Sequence, residues 1–188
     1  MFKKKDKVKH SDLILTEQNI YSKQLIKFKL EIPFKKYTSN VDEYIIDYAK
    51  KNICNRCFKE GYISDTNVKI INKTAGMLDG SKINYNVLYE FDVFVPHEDL
   101  ELYVKVNNIT KIGIKAVITE DNNKNPLVVF ASRIHNDHIL MNDEESEQNN
   151  NIDTNKSTVS IGDIIKVKVI GNRYEIFDPS IYILGIII

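Results

Sequence analysis

The sequence predicts two small units in series, an α+β unit over residues 12–96 and an all-β barrel over residues 97–188. Three observations predict it. Only residues 41–53 carry apolar side chains at a sustained helical spacing, while the other apolar runs alternate or are rich in β-branched residues. Asp79-Gly80 lies between two strand-like runs, a hairpin signal because glycine takes positive φ without steric cost. Pro96 ends a long β-branched and aromatic run, and a fresh alternating run begins at Leu100.

In chain order, residues 1–11 read as a solvated lysine-rich arm. Strands are expected at 12–16 and 24–32, the second closed by Pro33. Ser39 or Asn40 caps the helix, Asp42 and Glu43 suit its N-terminal dipole, and Lys50 and Lys51 suit its C-terminal one. Gly61 is the expected stop. Further strands are expected at 67–72, 83–95, 100–107, 111–118 and 127–131, with turns at Asn107-Asn108 and 121–126. A helical turn fits within 132–141, and the polar, acidic, Asn-rich segment 142–158 reads as a disordered insertion. Strands resume at 161–170 and 174–188 around a turn at Gly171-Asn172. Five short strands with a helical turn after the third form the pattern of an OB-type barrel.

At 188 residues with 43% apolar side chains, the chain has bulk enough for a core without disulfide staples. Lysine and arginine total 26, as do aspartate and glutamate, so any attraction to nucleic acid has to come from a local patch. The bias toward Asn, Ile and Lys reads as A+T-rich coding, which discounts patches made of lysine alone. Cys54 and Cys57 supply no disulfide framework and fit a reducing compartment. No apolar core follows the N-terminal lysines, and the apolar run 183–188 is too short to span a bilayer. The expectation is a soluble intracellular protein without membrane association.

Several stretches carry a family resemblance through their order and spacing. They are Gly61-Tyr62-Ile63 after the helix, then the run from Lys69 through Gly76, Asp79-Gly80 and Tyr85 to Phe94-Val95-Pro96. Behind these come Leu102-Tyr103-Val104, Lys111-Ile112-Gly113-Ile114 and Val128-Val129-Phe130-Ala131-Ser132. The layout resembles the large stalk subunit of multisubunit DNA-directed RNA polymerases, the family of the seventh-largest subunit of eukaryotic RNA polymerase II and its archaeal counterpart. The likeness covers roughly residues 12–188, and its form is most similar to versions encoded by large DNA viruses. It implies a ribonucleoprotein-like N-terminal domain (12–96) and an OB barrel of the ribosomal S-one type (97–188). It implies a noncatalytic accessory subunit bound to the polymerase core subunits and to a small stalk partner, with the 183–188 strand as one contact for that partner. It also implies weak contact with nascent single-stranded RNA, no cofactor and no metal. The setting would be a cytoplasmic viral factory and virion for a viral version, and the nucleus for a cellular one.

Lys105, Lys111, Lys115 and Arg133 lie in or beside the strands that form the ligand face of such a barrel, and Lys166 and Lys168, with Arg173, extend it. Strand alternation places Lys111 and Lys115 on one face, with Ile112 and Ile114 opposite. S-one-type barrels carry an aromatic before the glycine of strand two, another soon after it, and a histidine in strand three. Those places here hold Ile112, Ile114 or Lys115, and Phe130, so Phe130 is the one ring on which a base would stack. In the stalk family, the region matching Gly76, Met77, Leu78, Asp79 and Gly80 is a tip that docks into the polymerase core. On its residues alone it reads as a self-packed hairpin tip, and no helix follows to make it a phosphate loop.

Two sharper chemistries are weaker. Cys54-Asn55-Arg56-Cys57 lacks the second pair that zinc needs, and its thiols are expected to be buried. His135, Asp137 and His138, with Asp143, Glu144 and Glu145, would serve a metal-dependent hydrolase, but their spacing fits a surface turn better. No nucleophile with a companion base is evident. A stand-alone OB-fold RNA-binding protein of translation or RNA decay is the main alternative.

Overall fold

The computed structural model describes residues 20–36, 40–118, 125–137, 139–141 and 157–188. The basic arm at 1–11, the strand expected at 12–16, His138 and the carboxylates at 143–145 lie outside them. Among the described residues the chain is mostly β, with one α-helix. They divide into two compact units: Ile20–Val95 with Glu175–Pro179, and Pro96–Tyr174 with Ser180–Ile188.

The first unit is an antiparallel sheet built on a long central strand. Its strands are β1 (Ser22–Pro33), β2 (Arg56–Phe58), β3 (Gly61–Lys73), β4 (Met77–Asp79) and β5 (Lys82–Phe94), in the order β1-β5-β3-β2 with β4 also on β5. Alternation decides its core. Every odd position of β5 from Ile83 to Val93 is buried and meets Ile26, Leu30 and Ile32 of β1. Helix α1 (Val41–Asn52) lays Ile45 and Ala49 on that face, and the Tyr89 hydroxyl donates to the Ile45 carbonyl at 3.3 Å.

Asn40 caps α1 reciprocally. Its side-chain oxygen accepts from the Glu43 N–H, and its amide donates to the Glu43 carboxylate at 2.9 Å. The helix ends well before Gly61, at Asn52, where Asn55 takes a left-handed φ of 58°. Gly61 instead opens β3, where an added Cβ would stand 2.5 Å from the Phe94 carbonyl oxygen. The expected strand 67–72 runs back to residue 61 because its polar start is absorbed as a bulge between Ile63 and Val68. Asp92 and Glu90 satisfy the bulge: Thr66 and Asn67 donate to Asp92 at 3.1 and 3.2 Å, and Asn67 to Glu90 at 3.3 Å.

The second unit is a closed, mixed, five-stranded barrel of OB-like form. In chain order its strands are β6 (Glu101–Thr110), β7 (Gly113–Val117) and β8 (Leu127–Ser132), then a short parallel pair outside the barrel, β9 (Ile139–Met141) and β10 (Ser157–Val159), and finally β11 (Ile164–Arg173) and β12 (Ile181–Ile187). The barrel closes in the order β6-β7-β8-β12-β11 and back to β6, with β8 and β12 parallel and all its other pairs antiparallel. Leu102, Val104, Val106, Ile114, Ala116, Val129, Val167 and Ile183 fill the interior. A short 3-10 turn, Arg133–His135, follows β8, as expected near there.

Several expected boundaries move. Asn107-Asn108 is a bulge inside β6, which continues to Thr110, and the turn falls at Lys111-Ile112. Gly171-Asn172 is likewise no turn, since both residues pair with β12 across a bulge in β11. The expected strand 174–188 begins only at Ile181. Within the first unit, Glu175–Pro179 pairs with β2, where Cys57 N–H donates to the Asp178 carbonyl at 2.8 Å and Phe177 N–H to the Cys57 carbonyl at 2.7 Å. The end of the expected 142–158 loop is taken up by β10. β12 pairs with β11 over Tyr182–Ile187 but with β8 only over Ile181–Leu184, so only the first part of the 183–188 strand is flanked on both sides.

Candidate nucleic-acid interface

Barrel closure sets the site, because register across strands decides which outward side chains share a row. One row runs Asn108, Lys115, Phe130 and Leu184 across β6, β7, β8 and β12. Lys115 and Phe130 are therefore direct cross-strand neighbours on the outside of the barrel. Gly113 seats the ring from below: a Cβ there would stand 3.0 Å from the Phe130 Cζ. The second row, two residues along, runs Lys105, Val117, Val128, Tyr182 and Arg173, with Val117 buried and Tyr182 and Arg173 exposed.

Lys111 and Arg133 lie at one end of these rows. Arg133 is tied to the β6–β7 turn by its backbone N–H to the Ile112 carbonyl at 3.0 Å and by its Nε to the Thr110 carbonyl at 3.4 Å. Lys111 occupies that turn rather than the strand, so the expected shared face with Lys115 is replaced by a place at the rim. Ile112 is 70% exposed in the turn while Ile114 is buried, so these two do not share a face either.

Lys166 and Lys168 lie on β11 between β6 and β12, Lys168 opposite Ile186, and each is held by a carboxylate: Lys166 Nζ meets Glu101 at 2.5 Å and Lys168 Nζ meets Asp99 at 2.8 Å. Each hydrogen-bonded partner holds its ammonium pKa above the usual lysine value, and Lys168 holds the Asp99 carboxyl below its own. Lys166 also lies 6.0 Å from the centroid of the Tyr103 ring. These lysines are neutralised locally. Strands β7, β8 and β12, by contrast, contain no aspartate or glutamate.

The hairpin tip in the first unit is built by β4 and β5 around Gly80, whose φ of 57° closes a two-residue turn with Ser81. Asn84 braces it by donating to the Asp79 carboxylate at 3.3 Å. Gly76 is in tight contact with Tyr85, whose hydroxyl would lie 2.6 Å from an added Cβ. Met77 and Leu78 point to opposite faces of β4, yet they are 71% and 66% exposed. The tip is thus not self-packed. Its turn is nonetheless tied to the sheet, where Phe34 N–H donates to the Ser81 carbonyl and Lys82 meets Glu31, each at 2.8 Å.

Both cysteines are buried, and burial pushes each thiol up to about 12. That is the reverse of a reactive or metal-poised thiol, whose pKa is depressed. Ellman's reagent at pH 8 is therefore expected to leave Cys54 and Cys57 unmodified in the native chain and to titrate both after denaturation. Prompt native labelling would refute this. Because the folded pKa is raised, the stabilising contribution is whole below about 9, the ordinary thiol value, and drains as pH climbs toward 12. His135 and Asp137 are exposed, and among the described residues no three His, Cys, Asp or Glu groups come together as a metal site. Among the described residues, no helix is long and apolar enough to cross a membrane.

Tyr182 and Asn108 are the residues that sequence reading passes over. Tyr182 is 51% exposed, and its signal is the alternation within β12, hidden because the outward positions of that strand are apolar as well. No protein-family model matches the chain, and a search of curated proteins returns no match.

Proposed function

We propose that this chain is a noncatalytic subunit of a DNA-dependent RNA polymerase, of the large-stalk type, which docks on the core subunits through its hairpin tip and touches nascent single-stranded RNA with its barrel. The observation that carries this reading is the tip. Two adjacent large apolar residues, Met77 and Leu78, stand in water on a braced hairpin, a cost that a docking partner relieves. The five-strand closure with its one parallel pair supports the S-one-type barrel, and the helix-backed antiparallel sheet supports the ribonucleoprotein-like domain. The adjacency of Lys115 and Phe130, with Arg133 at the rim, supports contact with RNA.

A small stalk partner completes the proposed assembly. The 183–188 strand stays the candidate contact for it, since β8 pairs with β12 only over Ile181–Leu184. A viral version would work in a cytoplasmic factory and the particle, a cellular one in the nucleus.

The same adjacency also favours a second reading, a stand-alone RNA-binding protein of translation or RNA decay, since it needs no polymerase to bind a polyanion. Affinity purification of the full chain from its native source separates the two. Co-purification of the large polymerase subunits in stoichiometric amount is the expected result. Recovery of RNA without polymerase would replace the first reading with the second.

A further inference from the structure

We propose that Tyr182 and Arg173 form a second nucleotide position beside Phe130 and Lys115, so that the outer face of β7, β8 and β12 takes two adjacent bases of single-stranded RNA. This deepens the RNA-contact reading and rests on it.

Three features carry the inference. The first is pairing: each ring has a cation as its cross-strand neighbour, Lys115 beside Phe130 and Arg173 beside Tyr182. A base stacked on either ring would bring its phosphate within reach of a positive charge. The second is spacing. Phe130 faces Leu184 and Tyr182 faces Val128 on the parallel β8–β12 pair, so the two rings sit on neighbouring strands in successive outward rows. Successive outward residues are about 6.6 Å apart along a strand, which separates two stacking positions without merging them.

The third is charge. The three strands of this face hold no carboxylate, while Lys166 and Lys168 on the β6–β11 flank are matched by Glu101 and Asp99. Both rings therefore lie on strands without a carboxylate, each with a cation as its cross-strand neighbour. An acidic peptide would satisfy the cations but has no use for two flat faces. Between the rings lie Leu184 and Val128, both half-buried, an apolar floor that suits base edges and offers no hydrogen-bond readout. The site should accept any base.

The test uses the full chain and a fluorescein-labelled oligouridylate of about 12 nucleotides, within the span one such barrel covers. Binding is read by anisotropy at low salt and along a salt series. Tyr182→Leu keeps bulk and removes the aromatic face, and is expected to weaken binding about tenfold, while Tyr182→Phe binds as the parent does. Arg173→Gln is expected to flatten the salt slope by roughly one. An abasic oligomer of equal length should bind more weakly and be indifferent to Tyr182→Leu. Because Tyr182 is half in water, the thermal midpoint of Tyr182→Leu should match the parent.

If Phe130→Leu weakens binding and Tyr182→Leu does not, the second position is overturned and the RNA reading stands. An equal loss on the abasic oligomer would overturn stacking at Tyr182. Absence of any binding by the parent chain at low salt would overturn this inference and the RNA reading together.

Discussion

Replacing Met77 and Leu78 together by aspartate is expected to abolish co-purification with the polymerase core while leaving the fold intact. Both residues are mostly exposed in the free chain, so the exchange removes little buried area and should move the melting temperature by no more than an exposed substitution does. In a docked complex the balance reverses. A hot-spot apolar side chain contributes roughly 2 kcal/mol or more, and a carboxylate forced into its pocket adds desolvation cost. Two such losses correspond to more than about a hundredfold in affinity. Leu25→Asp is the matched control, because Leu25 is 60% exposed in the same unit but away from the tip residues in sequence and register. Retention of polymerase by the double variant, or equal loss with the control, would remove the tip from the proposal.

Much of this architecture is legible in the sequence, and the misses share a cause. β5 stands out almost residue for residue because its odd positions are apolar and all meet one core. α1 is legible because Asn40, the first-turn acids and the last-turn lysines agree with its apolar spacing. The misplaced turns at Asn107-Asn108 and Gly171-Asn172 have the composition of turns, yet each is absorbed by a bulge, and only pairing with a distant strand decides that. The site follows the same rule. Lys115 and Phe130 are legible as types of residue, but their adjacency is a matter of β7–β8 register. The neutralisation of Lys166 and Lys168 depends on carboxylates more than sixty positions away in sequence, at Glu101 and Asp99. β12 hides Tyr182 because Leu184 and Ile186 make its outer face nearly as apolar as its inner one, erasing the period-two signal. The exposure of Met77 and Leu78 is not legible in the sequence, since nothing local separates an exposed hairpin tip from a packed one.

Gly113→Ala is expected to be the most damaging single methyl in the barrel. The added Cβ would lie 2.3 Å from the Ala131 carbonyl oxygen and 3.0 Å from the Ser132 Cα, both backbone atoms of β8. A flexible side chain could swing aside, but a strand backbone can move only by opening the β7–β8 ladder, where Gly113 pairs with Ser132 and Ile114 with Ala131. Overpacking of this kind costs about 1–3 kcal/mol and sometimes more. At about 2–4 °C per kcal/mol for a chain of this size, the thermal midpoint should fall by roughly 2–12 °C. The same Cβ would meet the Phe130 ring at 3.0 Å and lift it from its seat, so RNA affinity should drop in the fraction that remains folded. Gly171→Ala is the control. Gly171 faces Leu184 in the continuation of the same row, and an added Cβ there meets nothing within 4 Å. It should shift stability by less than about 0.5 kcal/mol. Equal melting temperatures for the two variants would mean that β8 yields freely at Ala131, and the account of Gly113 as the seat of the Phe130 ring would fall with it.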